Sequence, residues 1–167
     1  MNYYDDTDLG PRKKSAKTLA QKLIKDCKIK SSPVSLRTII EHLQTSHNLH
    51  VVGQSFGPNI SGLLVKCTDL DKEKFVIGFN QDEPWCRRRF TIAHEIGHLL
   101  FGHTCDKSNI NKKHNETEAD IFAAEILMPK NILKKDFKTN PKIDFLAKQY
   151  LVSQQAMGIK ITSDRLI

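Results

Sequence analysis

"FTIAHEIGHLLFGH", residues 90–103, sets three histidines and a glutamate into a run of Phe, Ile, Ala, Leu and Gly. The run is apolar enough to be buried, yet imidazoles and carboxylates are costly to bury unless paired or bound to a metal. Helical geometry resolves the conflict. At 100° per residue, His98 lies one turn beyond His94 and only about 40° around the axis, so both rings leave one face and can grip one ion. Ile92, Ile96 and Leu99 fall on the other side, where they can pack into a core. Glu95 flanks the histidine face, placed to act as a general base on water without binding the metal. The competing reading is two core histidines bonded to backbone carbonyls, or a solvated polar stripe.

A catalytic zinc takes a third protein ligand and leaves a fourth position for water. His103 is nearest in sequence, but on an unbroken helix it points about 180° from His94 and about 140° from His98. The pattern HExxHxxGxxH does not apply either, because Phe101 and Thr104 stand where Gly and His are required. The next helical stretch, "NETEADIFAAEILMP" (residues 115–129), offers Glu116 and Asp120 on one face with Ala123, while Glu118 lies about 160° from Asp120. Glu116 is the geometric choice for third ligand. Asp120 is then a partner that orients a ligand histidine through its other ring nitrogen. An ordinary acidic first turn complementing the helix dipole is the alternative. His103, His114 and Tyr150 are all chemically eligible to donate a hydrogen bond to a developing oxyanion, and the sequence does not choose among them.

Working outward, residues 1–13 read as a flexible N-terminus and 14–167 as one domain, with about 138–167 a helical C-terminal extension. Ala16, Leu19, Ala20, Leu23, Ile24 and Cys27 recur at helical spacing over 14–28. Ser35 is a candidate N-cap for a second helix carrying Leu36, Ile39, Ile40 and Leu43. From Leu49 the pattern shifts to β-branched runs, "LHVVGQSF", "ISGLLVKC" and "KFVIGFN", which predict a small, mostly antiparallel sheet. Pro84 suits the first turn of the HExxH helix, which should end near Gly102. "KIDFLAKQYLVSQQAMGIKI" predicts two short helices joined around Val152 and Ser153, with Met157 and Ile159 as packing residues. The fold class is therefore α+β.

The 167 residues suffice for a hydrophobic core. Cys27, Cys67, Cys86 and Cys105 form no CxxC pair and no secretory apolar region follows "MNYYDDTD", so reduced thiols and a soluble cytoplasmic protein are expected. No apolar run approaches the ~20 residues of a membrane span, and no membrane partner is expected. Lys and Arg outnumber Asp and Glu by 26 to 19, clustering at 12–14, 87–89, 112–113 and 134–135. A scattered solvated surface explains this better than nucleic-acid binding. The stretch "LAKQYLVSQQAMGIKI" (residues 146–161) resembles half of a helix-turn-helix unit, but its second helix offers Gln154, Gln155 and Lys160 and little Arg, so direct DNA binding is not favoured.

"RRRFTIAHEIGHLLFGH" followed by "NETEADIFAAEILMP" resembles the ImmA/IrrE family of bacterial and phage metallopeptidases, whose pattern is RFTxAHExGHxxxGH and then ExEAxxFAAxxLMP. The resemblance implies a zincin-like fold, one Zn²⁺ ion held by His94, His98 and Glu116, and Glu95 as catalytic base. It further implies a protein substrate, a helix-turn-helix repressor of a phage, mobile element or stress circuit. Many relatives carry Asn where this chain has Asp120. The rival reading is a non-catalytic, zinc-stabilised module that binds a repressor or DNA.

Overall fold

The computed structural model describes residues 10–69, 72–103 and 112–167. Among these, seven helices and three strands follow in the order α1 (Lys13–Asp26), α2 (Leu36–His47), β1 (Leu49–Gln54), β2 (Gly62–Asp69), β3 (Lys72–Asn80), α3 (Trp85–Phe101), α4 (Lys112–Leu127), α5 (Lys130–Thr139), α6 (Ile143–Tyr150) and α7 (Gln154–Ser163). The α+β class is as expected. Ala16, Ala20, Leu23 and Ile24 form the buried stripe of α1. Ser35 caps α2 by accepting the Thr38 N–H at 3.3 Å, and Ser153 caps α7 by accepting that of Ala156 at 3.1 Å. Of the segment expected to be loose, residues 1–9 lie outside the described residues, while Arg12 is bound to Glu118 of α4. Cys105 also lies outside them.

The sheet corrects one expectation. Its order is β1-β3-β2, with β2 antiparallel to β3 but β1 parallel to it. The three strands do alternate in direction along the chain. β1, however, pairs not with its successor β2 but with the far side of β3, and that choice makes the pairing parallel. β3 becomes the central strand, and Ile77 at its middle is fully buried.

α3 packs on β3 and β2 and also against α4, which in turn packs against α1. α5 was not anticipated. It starts directly after Pro129 and buries only Leu133 completely, too weak a periodic signal to stand out. Leu146, Tyr150, Met157 and Ile161 of the last two helices join the common core. Ile159, by contrast, is 63% exposed, so it does not pack as expected. No helix among the described residues is long and apolar enough to cross a membrane.

Lys160 is turned inward. Its ammonium is buried against Glu125, and pairs with Asp164 Oδ2 at 2.7 Å, while Lys17 reaches Asp164 Oδ1 at 3.1 Å. Burial opposes ionisation of Asp164, but the bonds from Lys160 and Lys17 outweigh it and hold its pKa below the ordinary value. A carboxylate with a depressed folded-state pKa stabilises fully above its unfolded value and loses that contribution as pH falls through the folded one. Lys160→Met leaves buried Glu125 without its cation and Asp164 with Lys17 alone, and should cost about 3–5 kcal/mol at neutral pH. Urea unfolding should show the gap from wild type narrowing as pH is lowered toward 4. A gap of equal size at both pH values would mean that Lys160 contributes only by packing.

Candidate metal centre

Ile92, Ile96 and Leu99 anchor α3 in the core, which presents His94 and His98 together from the adjoining face. Their Nε2 atoms are 2.9 Å apart. Glu116, in the first turns of α4, brings Oε2 to 3.3 Å from His94 Nε2 and Oε1 to 3.5 Å from His98 Nε2. Donors around a tetrahedral ion at about 2.0–2.1 Å from each stand roughly 3.3 Å apart, so this triangle fits a single small cation. Among the described residues, His94, His98 and Glu116 are the group able to hold a metal ion.

The two helices meet this closely because Gly97 has no side chain. A Cβ there would stand 3.1 Å from both Ala119 Cα and Phe122 Cδ1. Glu95, the next residue after His94, is half-buried beneath the start of β2. At Gly62 a Cβ would be 2.3 Å from Thr91 Cγ2 and 3.5 Å from Glu95 Cγ, so glycine lets the strand pass directly over this face of α3. Burial, aided by the Glu116 charge and opposed by His94, raises the Glu95 pKa.

Asp120 lies where a histidine-orienting carboxylate is expected, its Oδ1 2.9 Å from His94 Nδ1. Burial disfavours a charged His94, but the Asp120 hydrogen bond and the Asp120, Glu95 and Glu116 charges outweigh it and raise the pKa. His98 goes the other way. Burial and the neighbouring His94 and His103 lower its pKa to about 4, which keeps it neutral as a ligand must be.

His103 corrects the unbroken-helix expectation. α3 ends at Phe101 and Gly102 adopts the left-handed conformation (φ 66°). The chain therefore turns back, the His103 N–H donating to the His98 carbonyl at 3.0 Å. Its Nδ1 arrives 2.8 Å from His98 Nδ1, and its Nε2 3.1 Å from Glu118 Oε2. Glu118, set aside because it faces away from Asp120, is 3% exposed and held by Arg12. Burial opposes its ionisation, but the hydrogen bonds from Arg12 and His103 bring its pKa down to about 2. A signal was present in the sequence: Glu118 shares helical phase with Phe122 and Ile126, and a carboxylate on an apolar stripe needs a partner.

The remaining candidates are not brought to the centre. Tyr150 is fully buried in α6 and its hydroxyl donates to Asp136 Oδ2 at 2.7 Å, so it is not a donor to this site. His114 is on α4, but two residues before Glu116 and hence about 160° around the helix from it.

A groove of 1080 Å³ runs from Asp120 and Phe90 past Ile121 and Ala124 to Ala156 and Ile159. It is large enough for several side chains of a polypeptide. The α3–α4 approach can be tested at Gly97. Gly97→Val forces carbon into space held by Ala119 and Phe122, which should cost about 1–3 kcal/mol of stability. It should also weaken divalent-metal binding by moving Glu116 away from the histidines. Calorimetric titration showing unchanged metal affinity would separate the helix contact from the donor geometry.

The fold is similar to that of a Mycobacterium tuberculosis transcriptional regulator, with a TM-score of 0.65, 12% identity, and coverage of 86% of this chain but 45% of the regulator. The chain thus spans under half the length of that protein, and at this identity the likeness is one of fold. No curated protein matches in sequence. The profile of the IrrE N-terminal-like domain, the peptidase M78 family, matches residues 45–162, which include α3, the described part of the following loop and α4. With that match across well over half its length, and a histidine-histidine-glutamate cluster inside it, the chain belongs to the ImmA/IrrE family of metallopeptidase-like proteins.

Proposed function

We propose that the chain is a zinc-dependent endopeptidase of zincin-like architecture, acting on a protein substrate. The observation that carries the reading is the convergence of His94, His98 and Glu116 with Glu95 one residue away on the same helix. A zinc ion held there supplies Lewis acidity toward a peptide carbonyl and toward water. His94 and His98 offer their Nε2 atoms and Glu116 a carboxylate oxygen. Asp120 fixes the His94 ring by accepting from Nδ1. Glu95 would take the proton of the attacking water and return it to the leaving amine, a task open to a half-buried carboxylate beside the ligand histidines whose pKa burial raises.

The groove beside Asp120 and Phe90 favours a polypeptide over a small substrate. Membership of the family is the ground for proposing a helix-turn-helix repressor as the substrate. The competing reading, a metal-stabilised binding module, shares the ligands but has no use for Glu95 as a base. Glu95→Gln should retain stoichiometric zinc and lose turnover by about 10²–10⁴-fold. The assay mixes purified protein with a neighbouring repressor, with and without chelator, and reads fragments by intact mass. Cleavage by the variant at the wild-type rate removes Glu95 from the base role. A stable complex of wild type without fragments favours the module.

A further inference from the structure

We infer that Arg12 and Glu118 are positioning residues of the metal centre, acting through His103 to fix which nitrogen of His98 is free to bind the ion. The inference rests on reading His94, His98 and Glu116 as metal ligands. Arg12 lies outside the family-matched residues 45–162, yet three of its nitrogen atoms converge on one buried carboxylate. Its backbone N–H donates to Glu118 Oε1 at 2.7 Å. Its Nε donates to Oε1 at 3.0 Å and to Oε2 at 3.2 Å, and its Nη2 to Oε2 at 2.7 Å. The guanidinium also sits over the Phe101 ring, 4.8 Å from the centroid.

The direction of each hydrogen bond follows from what each group can do. Arginine only donates, and an ionised carboxylate only accepts. Glu118 Oε2, 3.1 Å from His103 Nε2, therefore requires the proton of a neutral His103 to be on Nε2. His103 Nδ1 is then bare and can only accept. Across the 2.8 Å contact, His98 Nδ1 must be the donor. A neutral imidazole carries one N–H, so His98 Nε2, the atom that faces His94 Nε2 and Glu116 Oε1, is left with its lone pair free. His94 reaches the same state by a shorter route, through Asp120 on its Nδ1. The two ligand histidines are thus oriented by two carboxylates, one in direct contact and one acting through a second histidine.

Glu118→Gln should reverse the chain. With the amide oxygen in the Oε1 place, kept by the Arg12 N–H and Nε, the NH₂ group takes the Oε2 place, displaces the exposed Arg12 Nη2 and faces His103 Nε2, pushing the His103 proton to Nδ1 and setting N–H against N–H at His98. The full chain should therefore bind Zn²⁺, measured by chelator competition, about 10–100-fold more weakly in Glu118→Gln. Arg12→Gln should weaken binding by a smaller factor, and Arg12→Lys should recover part of that loss. Proton–nitrogen correlation spectra of the histidine side chains should show His103 as the Nε2–H tautomer in wild type and as Nδ1–H in Glu118→Gln.

Wild-type zinc affinity in both Arg12→Gln and Glu118→Gln would overturn the inference, as would a wild-type His103 protonated at Nδ1. A loss of affinity matched by a lower melting temperature of the metal-free variants would overturn it too, because the residues would then act through folding. Arg12 has a side chain 55% exposed, so its variant keeps the test open even if Glu118→Gln does not fold. Failure of wild type to bind Zn²⁺ would overturn the metal reading instead, and the tautomer spectra would still decide the hydrogen-bond chain.

Discussion

The structure depends on how closely α3 and α4 can approach. Three donor atoms must converge within a few ångströms, two from one helix and one from the other, and ordinary helix axes stand 8–10 Å apart. Gly97 against Ala119 and Phe122 makes the short approach available. The apolar stripes of both helices fix their rotation, so Glu116 reaches the histidine pair while its side chain stays half exposed. The remaining polar groups are arranged around this contact. Asp120, His103 and Glu118 all hold a ring or carboxylate at the helix interface, and each has a partner.

That arrangement explains why one short region carries so many ionisable groups without destabilising the fold. Buried polar networks contribute when every member is satisfied and cost heavily when one is not. The chain from Arg12 to His98 is satisfied at each link, and it draws on parts of the sequence more than a hundred residues apart. The sheet has a different role. It packs against α3 and brings Gly62 over Glu95, which half-buries that carboxylate and raises its pKa.

Much of this was legible because helical phase is a strong signal. The offset of four residues between His94 and His98, and between Glu116 and Asp120, gives each pair a common face whatever the tertiary structure. The apolar stripe of α3 and the cap at Ser35 were readable for the same local reason. What could not be read was non-local or lay at an element's end. His103 was placed by extrapolating a helix that Gly102 terminates, and one left-handed residue reversed its direction. The parallel pairing of β1 with β3 depends on which sheet edge a strand joins, which periodicity does not encode. Arg12 has an unremarkable local context, and the place of Glu118 on an apolar stripe asks for a partner without naming it, so only the docking of α1 on α4 brings the two together.

The inward turn of Lys160 has a consequence for the C-terminal helix. It is the one ionised side chain within Gln154–Ser163, and both its neighbours in charge are buried with it. What α7 offers to its surroundings is amide, hydroxyl and aliphatic, with Ile159 foremost. The chain's formal charge of +7 is thus carried on other surfaces. The helix's own contribution to recognition is by contour and short-range contact, and any dependence on ionic strength in the groove beside it comes from Lys13, Lys14 and Arg87 on the facing elements.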